Sequence, residues 1–402
     1  MRKKQWIKPR HAVVRNILYV ILAPYCKWRY GITIEKFKGP QKGPYLILLN
    51  HQTPFDQFFV GIAVSGPIYF MASEDLFSNG WVSSLIRWLI APIPIKKQTT
   101  DVTAVKTCIR VAKEGGTIAI APEGNRTYSG KTEYMNPAIA PLARKLGLPI
   151  LLYRIEGGFG VEPRWSNCIR KGKMRSYVSR VVEPEDYAAM TDEQLFEIIK
   201  KELYVNEGVA DGFFRSKTRA EYLERAVYVC PFCGFSRFES HGNDVTCLSC
   251  HRSIEYGEDK VLRGKGFDFP FTFMTEWYDY QVDFIQNIDV TQMTAEPLFT
   301  DTVNMSEVLL QVRKVPLLEN VTLRLYGDKV TLNEGQADAR TFNFDQASAV
   351  TVLGRNKLNI YYGGHVYQFK GDKRFNAMKY VHFYHRYKNI SKGDTDGKFL
   401  GL

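Results

Sequence analysis

The sequence predicts three bodies in a row: an α/β domain of mainly parallel sheet flanked by helices, a small four-cysteine module, and a β-rich domain ended by one helix. Three observations carry this. Residues 44 to 160 alternate apolar strand-like runs with helical patterns, the signature of an open, mainly parallel sheet. Two CxxC pairs stand close together, at 230–233 and 247–250. After about residue 298 short alternating strands dominate, up to a last helical stretch. At 402 residues the chain exceeds one ordinary core, so several domains are expected.

The first element is basic. Within the first fifty residues Arg2, Lys3, Lys4, Lys8, Arg10, Arg15, Lys27, Arg29, Lys36, Lys38 and Lys42 face the single acid Glu35, whereas the whole chain carries a formal charge of +12. Most of the surplus therefore lies here and points to an anionic partner. Among these charges runs VVRNILYVILAPYCKWRY, apolar and rich in interfacial aromatics (Tyr19, Tyr25, Trp28, Tyr30, with Trp6 just before), interrupted by Arg15 and Pro24. Its unbroken apolar stretch, Ile17 to Ala23, falls far short of the roughly 20 residues that span a bilayer. A signal peptide is not expected, because Lys27, Trp28 and Arg29 occupy the place of a small-residue cleavage site. Residues 1–32 are expected to form an amphipathic helix whose apolar face enters an anionic leaflet while Lys and Arg meet headgroups. The plainer alternative is a helix packed on its own domain with a solvated basic face. Seven cysteines, an odd number with no secretory signal, suggest a reduced, intracellular protein. The expected location is peripheral, on the cytoplasmic face of a membrane.

The α/β domain is expected over 33–225. Its strands read as YLILL, IYFMA, PIPI, TIAIA and PILLYRI. Between them helices are expected from Pro54, through WVSSLIRWL, from Asp101 to Glu114, and near Ile139 to Leu146. In the third of these Val102, Val105, Cys108, Ile109 and Ala112 fall at helical spacing, and Gly115 and Gly116 stop it. Thr191 with Gln194 makes a capping box for TDEQLFEIIKKELY, and a second charged helix is expected over SKTRAEYLERA.

Two turns in this domain carry chemistry. NHQTPFD, residues 50–56, follows YLILL; Thr53 is a good N-cap and Pro54 suits a first helical position. A helix starting there would bring Asp56 beside His51, where a carboxylate fixes the imidazole tautomer and stabilises the imidazolium formed on proton uptake. No G-x-S-x-G elbow and no nearby cysteine supplies a nucleophile, so the proton would come from a substrate hydroxyl. The alternative is a capping Asp56 and an ordinary loop histidine. APEGNRT, residues 121–127, follows TIAIA, and in a parallel sheet both turns open on the same edge. Glu123 could accept from substrate hydroxyls and Arg126 could offer its planar fork to a phosphate. IPIKK adds Lys96 and Lys97 after a further strand.

NHQTPFD, APIPIKK, APEGNRT and GLPILL, in this order, resemble the four blocks of the glycerophospholipid acyltransferase superfamily, especially its 1-acylglycerol-3-phosphate acyltransferases. The resemblance covers roughly residues 10 to 205. It implies an α/β acyltransferase domain in which His51 is the general base, Asp56 its orienting partner, and Glu123, Gly124 and Arg126 parts of the acceptor-phosphate site. Lys97 would stand where the family usually has arginine, and Pro149 would lie near the acyl-donor site. Asn125 and Pro94 also depart from the family's usual threonine and aromatic. The implied reaction transfers a fatty acyl group from acyl-CoA or acyl carrier protein to the free hydroxyl of 1-acylglycerol-3-phosphate, a lysophospholipid, with neither a metal nor a covalent enzyme intermediate. The same chemistry on glycerol-3-phosphate, another lysophospholipid or a glycolipid is the alternative.

Cys230, Cys233, Cys247 and Cys250, as CxxC, thirteen residues, CxxC, have the spacing of a zinc ribbon, over 226–257, with a structural Zn(2+). A redox dithiol would leave the second pair unexplained. A connector with a helix through TEWYDYQVDFIQN is expected over 258–294. Over 295–390, the strands EVLLQV, NVTLRLY, KVTL, RTFNF, AVTVL, KLNIYY and HVYQF and the helix KRFNAMKYVHFYHRYK resemble a pleckstrin-homology or GRAM-like barrel, leaving a tail over 391–402. Lys370, Lys373, Arg374 and Lys379 would let it dock on a membrane or partner. A nucleic-acid-binding ribbon is a further class, disfavoured because Arg237 and Arg252 meet Glu239, Asp244 and Glu255 there.

Overall fold

The structure is a computed structural model that describes residues 5–39, 43–95, 101–132, 134–309 and 312–393. The described residues divide into two compact units, one within 5–163 and 169–207, the other within 164–168 and 208–393.

The first unit alternates strands and helices. Its strands are β1 (Ile32–Ile34), β2 (Leu46–Leu49), β3 (Ile68–Ser73), β4 (Ile93–Ile95), β5 (Thr117–Ile120), β6 (Ile150–Glu156) and β7 (Met174–Val182). Its helices are α1 (Pro9–Tyr30), α2 (Asp56–Ala63), α3 (Trp81–Ile90), α4 (Val102–Lys113), α5 (Ile139–Leu146), α6 (Gly158–Val161), α7 (Pro184–Ala188) and α8 (Asp192–Leu203). The sheet order is β1-β7-β6-β2-β5-β3-β4, and only the β6–β7 pair is antiparallel. Every residue of β2 and β5 is buried, which is why both read as unbroken apolar runs. Asp101 caps α4 by accepting the amides of Thr103 and Ala104, and Thr191 and Gln194 form the expected box at α8. One expectation shifts: α2 begins at Asp56, not at Pro54. Thr53 still accepts the Phe55 amide, but Thr53 and Pro54 form the turn that precedes the helix.

Helix α1 is fastened by its polar groups. Arg15 donates to the carbonyls of Gly61 and Val64 at the end of α2, and Arg10 to that of Trp88 near the end of α3. Two of the cations expected to meet headgroups thus bind helix ends instead.

The second unit holds β8 (Val229–Cys230), β9 (Gly234–Phe235), β10 (Phe238–His241), β11 (Asp244–Cys247), β12 (Ser253–Tyr256), β13 (Leu262–Gly264) and α9 (Met274–Gln286). It continues with β14 (Phe299–Leu309), β15 (Arg313–Leu325), β16 (Lys329–Leu332), β17 (Arg340–Asn343), β18 (Ala349–Leu353), β19 (Lys357–Tyr362), β20 (His365–Gly371) and α10 (Met378–Ser391). Strands β10 to β13 form a small antiparallel sheet; β14 to β20 form another, ordered β17-β16-β15-β14-β20-β19-β18. The latter is a curled half-barrel, since β17 and β18 remain its two edges. Register shifts between Val303 and Ser306 bend the long β14–β15 hairpin.

One expectation fails in this unit and another is narrowed. SKTRAEYLERA contains only a short 3-10 turn, Leu223–Arg225. Its charges are internal ties: Arg219 donates to Tyr256 O, and Arg225 to Trp165 O and Asn167 Oδ1, while Tyr222 takes a left-handed φ of 71° that no helix tolerates. Of the four cations expected to form a docking face, Lys379 is buried against Asp301 at 2.6 Å and Arg374 pairs with Glu224 and Glu221.

His382 on α10 lies between Tyr228 Oη, 2.7 Å from Nδ1, and Tyr278 Oη, 3.1 Å from Nε2. Burial pushes its pKa down to about 3 and that of His385 down to about 4. Both lie below the unfolded value of 6.5, so between these limits the unfolded chain binds more protons and stability is lost as pH falls. Each histidine contributes to the loss in the same direction. Urea midpoints of this unit should drop between pH 6.5 and 4.5; equal midpoints would refute the coupling.

Candidate active site and cysteine cluster

The ladder between β2 and β6 ends at Leu49, opposite Tyr153. The Asn50 side chain extends it: Nδ2 donates to Ile155 O and Oδ1 accepts from Ile155 N, both at 2.8 Å. The chain then leaves the sheet at His51. Across the turn, the first residue of α2 returns a carboxylate. Asp56 Oδ2 accepts from His51 Nδ1 at 2.8 Å and from the Gln52 amide at 2.7 Å. Oδ1 accepts from the Thr53 amide at 2.9 Å and the Thr53 hydroxyl at 2.7 Å. One carboxylate therefore shapes the turn and aims the ring. With Nδ1–H donated to Asp56, the lone pair is on Nε2. The Asp56 side chain is 1% exposed and that of His51 27%, so the orienting group is sealed and the ring is accessible.

The second turn follows β5, the parallel neighbour of β2. Gly124 closes it with a hydrogen bond to Ala121 O and a left-handed φ of 70°, which glycine takes without strain. Glu123, 8% exposed, accepts the His51 backbone amide at 2.7 Å. Gly124 and the half-buried Arg126 share this loop. The structure thus brings together His51, Asp56 and Glu123. Lys97, with Lys96, lies outside the described residues. Pro149 is not brought here: it precedes β6 at the amino-terminal edge of the sheet, where its carbonyl accepts the Leu46 amide, while His51 follows the carboxyl end of β2.

Two contributors were not singled out from the sequence. Asn50 sat inside the motif without a role, though a polar residue directly after a buried strand marked it. Gly158 lies so close beneath the loop that a Cβ there would stand 2.5 Å from Gln52 Cβ. Its signal was the glycine pair following PILLYRIE.

Helix α1 packs against the start of α2: the Tyr30 and Phe55 rings lie 5.1 Å apart, Tyr25 and Phe55 5.8 Å, and Tyr30 donates to the buried Glu162 at 2.7 Å. The other side of α1 exposes Val13, Ile17, Val20, Ile21 and Trp28. Its neighbour α3 exposes Trp81, Val82, Leu85 and Trp88. Lys27, Arg29, Lys36 and Lys38 are exposed nearby in the chain. Among the described residues no helix is long and apolar enough to cross a membrane.

In the second unit the four sulfurs of Cys230, Cys233, Cys247 and Cys250 lie within 4.8 Å of one another. Cys230 and Cys250 are 3.8 Å apart, Cys233 and Cys247 3.5 Å. Tetrahedral zinc with bonds of about 2.3 Å would set sulfurs about 3.8 Å apart, so this donor set fits such an ion. His241 is exposed and lies 3.2 Å from Glu239, while His251 is exposed with a left-handed φ of 59°.

Residues 32–155 match a protein family described as Acyltransferase. The chain is 24% identical over 181 residues to a 1-acyl-sn-glycerol-3-phosphate acyltransferase of Bacillus subtilis (strain 168), covering 44% of this chain and 85% of that protein. It is 21% identical over 154 residues to the 1-acyl-sn-glycerol-3-phosphate acyltransferase BAT2, chloroplastic, of Brassica napus, covering 37% of this chain and 44% of that one. Among solved structures, that of the 1-acyl-sn-glycerophosphate (LPA) acyltransferase PlsC from Thermotoga maritima aligns with a TM-score of 0.41 at 21% identity, over 48% of this chain and 78% of that one. The chain is an O-acyltransferase.

Proposed function

We propose that this O-acyltransferase moves a fatty acyl group from acyl-CoA or acyl carrier protein to the free hydroxyl of 1-acylglycerol-3-phosphate, giving phosphatidate. The observation that carries the mechanism is the His51–Asp56 pair, with Nδ1 held at 2.8 Å and the His51 side chain 27% exposed. Nε2 takes the acceptor hydroxyl proton as the oxygen attacks the thioester carbonyl. Collapse of the tetrahedral oxyanion breaks the C–S bond, and the imidazolium returns its proton to the departing thiolate. Asp56 stabilises that imidazolium. Arg126, and Lys97 beyond the described residues, are assigned to the acceptor phosphate, which a guanidinium suits. The acceptor itself is supported by the names of the Bacillus subtilis and Brassica napus relatives. The test is an acceptor-by-donor panel on purified protein with His51→Ala as blank. Transfer should be greatest to 1-acylglycerol-3-phosphate; preference for glycerol-3-phosphate, another lysophospholipid or a glycolipid would replace the acceptor and keep the chemistry.

Such an acceptor resides in a bilayer, and α1 with α3 is proposed to rest on an anionic leaflet. Their exposed tryptophans and aliphatic residues, together with Lys27, Arg29, Lys36 and Lys38, suit an interface. Replacing Trp81 and Trp88 together by glutamine should reduce flotation with anionic vesicles by about 10-fold or more. Unchanged flotation would remove α3 from the contact. The four cysteines are proposed to hold a structural zinc ion, and the half-barrel is read as a pleckstrin-homology or GRAM-like domain from its seven strands and closing helix.

A further inference from the structure

We propose that Glu123 and Asn50 are positioning residues for the base, and that Glu123 acts through the His51 backbone, not through the acceptor. The inference rests on His51 being the base. A base must hold its lone pair within a few tenths of an ångström of a productive line, and a ring is only as well placed as the backbone that carries it. Asp56 fixes the far side of the ring and the amides of Gln52 and Thr53. Its hydrogen bonds reach the His51 ring and the two residues that follow, not the His51 main chain. That is the part Asn50 and Glu123 hold, from two neighbouring strands.

Asn50 is fully buried, and its amide pairs with both backbone groups of Ile155. It completes the β2–β6 ladder with a side-chain amide in place of a peptide group. The main chain is thereby released from the sheet one residue early and turns outward at His51. Glu123, reaching from the turn after β5, takes the His51 N–H that has left the ladder. A backbone donor this close to the sheet needs an acceptor, and Glu123 Oε1 provides it at 2.7 Å. The three constraints on the loop come from β6, β5 and α2. Gly158, the first residue of α6, packs against Gln52 in this loop with no room for a side chain.

This reading separates residues that the motif APEGNRT puts side by side. Arg126 belongs to the acceptor, whereas Glu123 belongs to the base. Steady-state kinetics of the full chain distinguish the two. Glu123→Ala should lower kcat about 10- to 100-fold, as expected for a displaced catalytic group, with the acceptor KM changed less than about threefold. Glu123→Gln keeps an oxygen that can accept the His51 amide and should retain kcat within about fivefold. Asn50→Asp, which sets a carboxylate against Ile155 O, should repeat the kcat loss at constant KM; if it does not fold, the Glu123 pair decides alone. A rise of tenfold or more in acceptor KM with kcat preserved in Glu123→Ala, or equal losses in the alanine and glutamine variants, would overturn the proposal. His51→Ala measured alongside keeps the two questions apart: if it retains activity the base assignment fails, and if it is inactive while Glu123→Ala alters only KM, this inference alone fails.

Discussion

His51→Ala is expected to lower acyl transfer by roughly 10²- to 10⁴-fold while leaving the protein folded. The rate loss follows from the proposed role of His51, whose Nε2 would receive the hydroxyl proton. The retained stability follows from the hydrogen bonds left behind: without the imidazole, Asp56 Oδ2 still accepts the Gln52 amide, and Oδ1 still accepts the Thr53 amide and hydroxyl. No buried charge is stranded, and the lost ring was 27% exposed. Asp56→Asn should behave differently. An amide presents one acceptor oxygen where the carboxylate uses two, so one of the buried donors at Gln52 and Thr53 loses its partner, at a cost of about 1–3 kcal/mol. Its NH2 would also face His51 Nδ1 as a donor and favour the other tautomer. Transfer assays with thermal melts check the contrast: both variants lose activity, and only Asp56→Asn loses stability. Full transfer by His51→Ala would dismiss the mechanism.

What the sequence could disclose follows physical lines. β2 and β5 were legible because strands buried on both faces read as apolar runs, and the turns after them were legible because a parallel sheet opens consecutive carboxyl ends on one edge. β7 was not anticipated: MRSYVSRVV mixes buried and exposed positions, and its pairing with β6 is antiparallel with a register shift. The stretch 216–226 was misread as a helix because arginine and glutamate usually signal a solvated face, whereas Arg219, Glu224 and Arg225 are buried ties. Lys379 failed as a surface cation for the same reason. Composition reports charge but not whether the charge has a partner. In the candidate site the pairing of His51 with Asp56 was readable from residue types and spacing. The work of Asn50 was not, since a side chain that completes a ladder is defined only by the strand it reaches, over a hundred positions away in sequence.

The second large effect is expected at the cysteine cluster. Its own elements are short: β8 and β9 are two residues each, the sheet β10–β13 buries Phe238, Val245, Ile254, Tyr256 and Leu262, and Phe235 and Phe238 pack outward on Phe284 and Trp277. Small modules of this kind depend on their metal, and binding to a four-thiolate set contributes about 10–16 kcal/mol of apparent free energy in isolated finger peptides. Cys247→Ser should therefore abolish stoichiometric zinc and unfold the segment 226–257, seen as rapid proteolysis there; Cys247 is buried, so the serine also leaves a hydroxyl among packed side chains. Cys233→Ser, at an exposed corner of the cluster, should weaken zinc retention with a smaller structural loss. Metal analysis of protein purified without chelator should give one zinc per chain, and a strong chelator should reproduce the Cys247→Ser proteolysis pattern. Protein that contains no zinc, resists the chelator, and shows by mass the loss of two hydrogens per CxxC pair would replace the structural metal with two disulfides, which sulfurs within 4.8 Å of one another can form only after the cluster rearranges.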